Sequence, residues 1–262
     1  MNKVDYSQIL EEDYKKKIEL IKNKTNILHF STGADSIASY LRLREAGIEP
    51  ILIYKYFIKD LPMVQNFLDY FQKKFNIKKI YQFPHPLWAE MLGNVQFQKP
   101  SRNFDKFLND VWQLRCFDKE AFDRHLSNCF DDKNTIYHFG LRYTDGIRRF
   151  EHLKNNGVMF QNKFYPIASF KISDIKAILN KYGCKLPIEY SLWGISFGSP
   201  RAWNLGLIKD NCPETYKKIL EWFPLLDYEM YRDRFNKLNR YFQVRVKQFK
   251  DFAIDKKEYA IW

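Results

Sequence analysis

The stretch ILHFSTGADSIASYL, residues 27–41, decides how the chain begins to fold. It starts as a short apolar run, turns through small and polar residues from Ser31 to Ser36, and continues with apolar residues at helical spacing. A buried strand that runs through a short turn into a helix is the unit from which parallel sheets are built. The first turn of such a helix presents backbone N–H groups and the positive end of its dipole. The sequence therefore predicts an anion site in this turn, most naturally for phosphate.

The segments around this turn alternate between strand and helix. Apolar residues spaced three and four apart indicate helices, and short apolar runs bounded by turn residues indicate strands. The predicted elements are a helix at 7–23, a strand at 26–30, a helix that ends at Gly47, a strand at 50–57, a helix at 62–75 and a strand at 78–83. This order predicts an α/β fold, a parallel twisted sheet with flanking helices whose ligands bind at the carboxyl edge of the strands.

The later part of the chain is less regular. Residues 84–134 are rich in aromatic and charged side chains, with short helical patterns at 104–114 and 118–126, and are interpreted as a helical insertion. The strand pattern returns at 134–142, where an apolar run leads into a glycine turn. A helix at 173–183 is expected to have Ser173 as its N-cap and Gly183 as its terminator.

Beyond Pro200 the pattern is helical. The sequence therefore predicts an α/β domain over 1–200, which contains the insertion at about 84–134, and a helical C-terminal region over 201–262 that packs on it.

Composition limits the class of protein. The 262 residues are 45% hydrophobic, enough for a substantial buried core, and neither a signal-peptide pattern nor 18 uninterrupted apolar residues occur, so a cytoplasmic location is expected. The formal net charge of +12 favours phosphate-rich partners without naming one. No CxxC pair occurs among the four cysteines, so reduced thiols are expected rather than disulfides or a common zinc site. The cysteines are Cys116, Cys129, Cys184 and Cys212.

The turn resembles a known phosphate loop. The order Ser31-Thr32-Gly33-Ala34-Asp35-Ser36 resembles the SGGxDS loop of the PP-loop ATP pyrophosphatase superfamily, with Thr32 in place of the first glycine. The segment HFGLRYTDGIRR, residues 138–149, is similar to the strand-Gly-x-Arg segment of phosphoadenosine phosphosulfate (PAPS) reductases. Residues 165–193 and 212–225 are similar to further stretches of that group. The resemblance is to the PAPS reductase-like family and implies a HUP-like α/β fold.

The resemblance implies that the turn binds the phosphates of an adenine nucleotide. The residues concerned are Ser31, Thr32, Gly33, Ala34, Asp35 and Ser36. An ionised Asp35 only accepts hydrogen bonds, so it suits a Mg²⁺ ion or a loop N–H better than phosphate. Arg142, Arg148 and Arg149 can each bind phosphate or sulfate through two N–H groups, and Asp35 and Arg142 are the predicted catalytic residues. The alternative is that the turn residues are simple turn and cap residues and the arginines are surface cations.

Two departures weigh against sulfonucleotide reduction. That reaction requires a nucleophilic cysteine, and no cysteine follows Cys212 in this sequence. The iron–sulfur relatives use paired cysteines where this chain has GISFGSP, residues 194–200. An iron–sulfur cluster is therefore not expected, and buried small hydrophobic side chains are the expected role of the thiols.

The C-terminal segment combines an apolar stripe with many basic residues. Tyr231, Phe235, Leu238, Phe242 and Phe249 recur at helical spacing, which suits packing against the rest of the chain. A solvated cationic face is one interpretation of the basic residues, and contact with a nucleic-acid backbone is the other. The residues predicted for such contact are Arg240, Arg245, Lys247 and Lys250.

These observations favour an enzyme that binds ATP with Mg²⁺ and cleaves it between the α and β phosphates to adenylylate an acceptor. The acceptor, a nucleic acid or a small molecule, stays open, as does the oligomeric state. Two alternatives remain: a sulfonucleotide reductase that uses PAPS, and a non-catalytic module that senses a nucleotide and binds nucleic acid or a partner protein.

Overall fold

A computed structural model describes residues 5–98, 119–130, 134–232 and 240–254. These residues form two compact units, each assembled from separate stretches of the chain. The first unit contains the described residues within Met1–Tyr54, Lys79–Tyr81 and Cys129–Lys185. The second contains those within Lys55–Lys78, Gln82–Asn128 and Leu186–Trp262. Within the described ranges no helix is both long and apolar enough to cross a membrane. The division of the chain into 1–200 and 201–262 stays a prediction.

Helices and strands alternate through the first half of the chain. The strands are β1 (Thr25–His29), β2 (Ile51–Tyr56), β3 (Ile80–Pro84), β4 (Thr135–His138), β5 (Met159–Phe160) and β6 (Lys163–Phe164). The helices are α1 (Tyr6–Ile21), α2 (Ala34–Glu45), α3 (Pro62–Phe75), α4 (Pro86–Gly93), α5 (Lys119–Cys129), α6 (Ile147–Asn156), α7 (Ile172–Lys181), α8 (Glu189–Leu192), α9 (Ala202–Asn211), α10 (Pro213–Trp222), α11 (Glu229–Arg232) and α12 (Arg240–Phe249).

The strands form one sheet in the order β3-β2-β1-β4-β6-β5. Strand β1 is parallel to β2 on one side and to β4 on the other, so Ile27 lies opposite both Ile51 and Tyr137. Strand β6 is parallel to β4, and the short β5 is antiparallel to β6. The fold is therefore α/β, with a mostly parallel sheet and flanking helices, which confirms the prediction from the alternating pattern.

The strand order reverses at β1. The chain continues from β1 to β2 on one side, whereas β4 joins β1 from the other side after a long excursion. Ligands of open α/β sheets bind at such a reversal, in the crevice outside the carboxyl ends of the two strands. The segments that follow β1 and β4, residues 30–36 and 139–146, therefore lie at the carboxyl edge of the sheet, beside this reversal.

Helix α1 packs on the core of the first unit through apolar residues that recur on one of its faces. Leu10, Tyr14, Ile18 and Ile21 are buried on this face and join a core cluster that includes Phe164 of β6. Burial of such side chains contributes roughly 1.5–3 kcal/mol each relative to exposure. Asp5 caps the helix by accepting a hydrogen bond from the backbone N–H of Ser7 at 3.0 Å. The predicted helix over 7–23 is confirmed with slightly different ends.

Two predicted helix ends have different outcomes. Gly183 follows α7 with a left-handed φ of +52°, the conformation expected of a glycine terminator. The prediction of Ser173 as the N-cap is wrong, because α7 begins at Ile172 and its N-cap is Lys171. The carboxylate of Asp174 accepts the backbone N–H of Lys171 at 2.7 Å, so the acid rather than the hydroxyl stabilises this end. The predicted helical stretch at 104–114 lies outside the described residues.

The second unit is built mainly from helices around aromatic side chains. Phe57 stacks on Phe223 with ring centres 5.5 Å apart and meets Phe197 edge-on at 6.3 Å. The backbone N–H of Met63, in the first turn of α3, donates to the hydroxyl of Thr215 in α10 at 3.0 Å. These contacts tie α3 to the helices that follow Pro200.

Candidate functional site

The turn between β1 and α2 is held in one shape by its own residues. The N–H of Phe30 still donates to the carbonyl of Ile53, 2.8 Å away, so the sheet pairing extends one residue beyond β1. The chain then turns through Ser31 and Thr32, and Gly33 caps α2 in an extended conformation. A glycine N-cap has no side chain to satisfy the first N–H groups of the helix. This helix end therefore favours an anion.

Ser36 is the centre of the turn's hydrogen bonds. Its buried hydroxyl donates to the carbonyl of Gly33 at 2.9 Å and accepts from the backbone N–H of Ser31 at 3.2 Å. The hydroxyl of Ser31, which is exposed, donates to the same oxygen at 3.3 Å. Ser36 thus shapes the turn from inside, whereas Ser31 is the hydroxyl that a ligand can reach.

Thr32 has a backbone conformation that its residue type disfavours. Its φ is +59°, in the left-handed region that β-branched residues rarely adopt. The side chain is buried, and its hydroxyl donates to the carbonyl of Ser31 at 2.6 Å. The left-handed conformation costs a residue with a side chain roughly 1–2 kcal/mol. Thr32 stands at the position of the first glycine in the loop that the turn resembles, and glycine adopts this conformation without strain.

The second loop, which follows β4, approaches the turn closely through Gly140. A Cβ atom added to Gly140 would lie 2.9 Å from the carbonyl carbon of Asp35, 3.0 Å from its oxygen and 3.1 Å from its Cβ. The close approach, rather than an unusual φ, is therefore what requires glycine here. Sequence reasoning quoted this glycine as part of a motif but did not identify it as the contact that joins the two loops.

Arg142 links the two loops through charge. Its side chain is almost completely buried, and its Nη2 lies 2.7 Å from Oδ1 of Asp145. Its Nε lies 3.0 Å from Oδ1 of Asp35, in the first turn of α2. Asp145 also accepts the backbone N–H of Arg142 at 3.0 Å and the Nη1 of Arg149 at 2.8 Å. The four side chains form a row of alternating charge, in the order Asp35, Arg142, Asp145, Arg149.

The three predicted arginines differ in exposure and in their partners. Arg142 is buried between two carboxylates, and Arg149 is half exposed beside Asp145. Arg148 is exposed, in the first turn of α6. Asp145, which sequence reasoning did not single out, lies directly before Gly146, the N-cap of α6. Direct contact of the three arginines with phosphate stays a prediction.

A buried, neutral histidine joins the two strands that lead into the site. His138, the last residue of β4, is fully buried, and its Nε2 lies 2.8 Å from Oδ1 of Asn26 in β1. The Asn26 amide nitrogen donates to the carbonyls of Ile21 and Lys24, which fixes Oδ1 as an acceptor and assigns the proton of the ring to Nε2. Burial, together with the nearby His29, lowers the pKa of His138 to about 3. The imidazole therefore orders β1 and β4 without adding charge.

One carboxylate of the turn, that of Asp35, is the candidate ligand for a magnesium ion. Mg²⁺ is commonly bound by one or two carboxylates together with substrate phosphates and water. The Asp35 side chain is 29% exposed and lies in the first turn of α2, where it can serve as that carboxylate. Within the described ranges no three His, Cys, Asp or Glu side chains are grouped as a metal site of their own.

Three of the four cysteines lie in the described part of the chain. Cys184 and Cys212 are buried and Cys129 is exposed. Burial in apolar surroundings makes a thiol a poor nucleophile, because the thiolate is the reactive form.

The basic C-terminal segment presents a narrower charged face than its sequence predicts. Lys247 and Lys250 are exposed. Arg245 is partly buried, with its guanidinium carbon 4.8 Å from the ring centre of Phe249 and its backbone against Gly194. Residues 233–239 and the side chain of Arg240 lie outside the described part. Contact of this face with nucleic acid stays a prediction.

Comparison with known proteins adds little. No protein-family model matches the chain, and no curated protein sequence matches it. Among solved structures the chain is similar to an NAD+ synthetase from Burkholderia pseudomallei, with 9% sequence identity over 82% of this chain and 90% of that chain, at a TM-score of 0.35. At this identity and TM-score the likeness does not indicate a function for this chain.

Proposed function

We propose that this chain is a PP-loop enzyme that binds ATP and Mg²⁺ at the 31–36 turn and cleaves ATP between its α and β phosphates to adenylylate an acceptor. One observation carries the proposal. The turn after β1 and the loop after β4 meet at the point where the strand order reverses, held together by the Gly140 contact and by the Asp35–Arg142 ion pair.

The residues of the two loops have distinct roles in this proposal. The N-terminus of α2 and the exposed hydroxyl of Ser31 receive the phosphates. Arg142 and the exposed Arg148 and Arg149 attract the polyphosphate and stabilise the negative charge that develops on the leaving pyrophosphate. Asp35 would hold Mg²⁺, which would supply further neutralisation of that charge. The attacking group belongs to the acceptor, so the protein needs no nucleophile of its own.

The alternative reaction, reduction of a sulfonucleotide, is less well supported. It requires a reactive thiolate, and of the cysteines that the structure describes, Cys184 and Cys212 are buried, whereas the exposed Cys129 ends α5 and belongs to neither of the two loops. We therefore place the chain in the wider ATP-cleaving group and do not adopt the PAPS reductase type.

The test is to identify the nucleotide products. The protein is incubated with Mg²⁺ and either ATP or PAPS, with water as the default acceptor, and the products are separated by ion-exchange chromatography. AMP and pyrophosphate from ATP, lost in the Asp35→Asn variant, support the proposal. ADP and phosphate contradict it, and release of sulfite from PAPS shows a reductase. Tight binding of ATP without any cleavage shows a nucleotide sensor.

A further inference from the structure

In the Asp35–Arg142 ion pair, each side chain blocks the ligand that the proposed function assigns to the other. The guanidinium is the cation beside Asp35, where Mg²⁺ would bind, and the carboxylate is the anion beside Arg142, where a phosphate would bind. We propose that this pair opens when substrate binds, so that Mg²⁺ replaces Arg142 at Asp35 and a nucleotide phosphate replaces Asp35 at Arg142. This inference rests on the proposed function and concerns the same site.

The two carboxylates around Arg142 are not equivalent. Asp145 has a side chain only 8% exposed, forms an ion pair with Nη2 of Arg142 at 2.7 Å, and accepts hydrogen bonds from the backbone N–H of Arg142 and from Nη1 of Arg149. Asp35 is 29% exposed and lies in the turn that receives the ligand. Asp145 is therefore the fixed support of Arg142, and Asp35 is the partner that can leave.

The contact of Arg142 with Asp35, at 3.0 Å, is also longer than its contact with Asp145, at 2.7 Å. The Nε of Arg142 lies 3.0 Å from Oδ1 of Asp35, but among the described residues it has no partner in hydrogen-bond alignment. Arg142 is thus a side chain more than nine-tenths buried with one N–H donor unmatched at the ligand-binding edge. A buried donor of this kind favours an acceptor with better alignment, such as a phosphate oxygen.

The exchange links the two ligands energetically. Nucleotide alone would place a phosphate beside Asp35 with no cation between them, and Mg²⁺ alone would take from Arg142 one of the two carboxylates that flank it. Both ligands together compensate both charges. Binding of metal and binding of nucleotide therefore strengthen one another, and by linkage the strengthening is reciprocal.

The test is calorimetric titration of ATP in EDTA, without metal, into the wild type and the Asp35→Asn variant. Asparagine keeps the size of the side chain and removes its negative charge. The variant should bind metal-free ATP roughly tenfold more tightly than the wild type, within the usual range of such couplings. Asp69→Asn is the matched control, because Asp69 is an exposed aspartate of α3 in the other unit, and its affinity for ATP should equal that of the wild type.

The outcomes separate the two proposals. Wild-type protein that binds ATP neither with Mg²⁺ nor without it overturns the proposed function and this inference with it. Wild-type protein that binds ATP with Mg²⁺, together with an Asp35→Asn variant that gains no affinity for metal-free ATP, overturns the exchange alone.

A second measurement uses the wild-type protein and does not depend on the folding of Asp35→Asn. The Nε–H signal of Arg142 is identified in ¹H–¹⁵N spectra as the one that Arg142→Lys removes. It should shift strongly when Mg²⁺ and ATP are added together and little with Mg²⁺ alone. A signal that does not move on addition of both contradicts the exchange.

Discussion

Substitution of Gly140 by alanine tests whether the two loops are packed against each other. The added Cβ would lie 2.9–3.1 Å from three atoms of Asp35, two of them backbone atoms that cannot rotate away. Carbon atoms prefer a separation of about 3.5–4.0 Å, so the loops would have to part by roughly 0.5–1 Å. Overpacking of this kind typically lowers the free energy of unfolding by about 1–3 kcal/mol.

The assay is urea unfolding of Gly140→Ala combined with ATP titration. We expect lower stability and weaker ATP binding together, because the displaced atoms belong to the first turn of α2. Gly206→Ala is the matched control, since Gly206 lies inside α9 with open space around the position of a Cβ. It should leave ATP binding unchanged and stabilise the protein by up to about 1 kcal/mol, as alanine does in helices. A Gly140→Ala protein with wild-type stability and ATP affinity would refute the packing argument.

Three further predictions concern pH and salt. Burial raises the pKa of Glu189 to about 7, whereas the unfolded carboxyl ionises near its ordinary value, so stability should fall as pH rises from about 4.5 to 7. Glu189→Gln should remove this fall, so that at pH 8 its free energy of unfolding exceeds that of the wild type by roughly 3 kcal/mol. If thermal unfolding of the variant and of the wild type depends on pH in the same way, the prediction is wrong. His138 changes stability with pH in the opposite direction. Its pKa is lowered to about 3 in the folded protein, so below about pH 6.5 the unfolded chain binds a proton at this residue and the folded protein does not. Stability should therefore decline toward acid pH, and His138→Gln should flatten that decline in the same assay. If the C-terminal basic face binds nucleic acid, the pair Lys247→Ala and Lys250→Ala should reduce the log–log salt slope of binding by roughly 1.4–1.8, and an unchanged slope would show that these lysines contact no phosphate.

The alternating part of the fold could be predicted from the sequence because local pattern and burial agree there. Helix α3 spans Pro62–Phe75, the predicted range, since proline at its start and a one-sided apolar stripe both mark it. The N-cap of α7 could not be predicted from the sequence, because Ser173 and Asp174 both suit the start of a helix. The structure shows that α7 starts after Lys171, whose N–H donates to the carboxylate of Asp174. The two-residue strands β5 and β6 are too short to carry a pattern.

The candidate site could be predicted only in part. The 31–36 turn is visible because its residue types and its place after an apolar strand are local features. The contact of Gly140 with Asp35 joins residues about one hundred positions apart, and so does the pairing of His138 with Asn26. Nothing in the local sequence indicates either pairing, because each depends on β1 and β4 becoming neighbours in the sheet.

The most direct test of the central claim is the ATP affinity of a Gly33→Val variant. Gly33 has φ −76° and ψ 154°, a conformation that valine adopts readily, so the substitution does not strain the backbone. If the phosphates bind at the α2 N-terminus as proposed, the branched side chain at its N-cap should take up space that they need. With circular dichroism confirming the fold, calorimetry with Mg²⁺ should show ATP binding by the wild type and none by the variant. A folded Gly33→Val protein that binds ATP as tightly as the wild type would contradict a nucleotide site in the 31–36 turn.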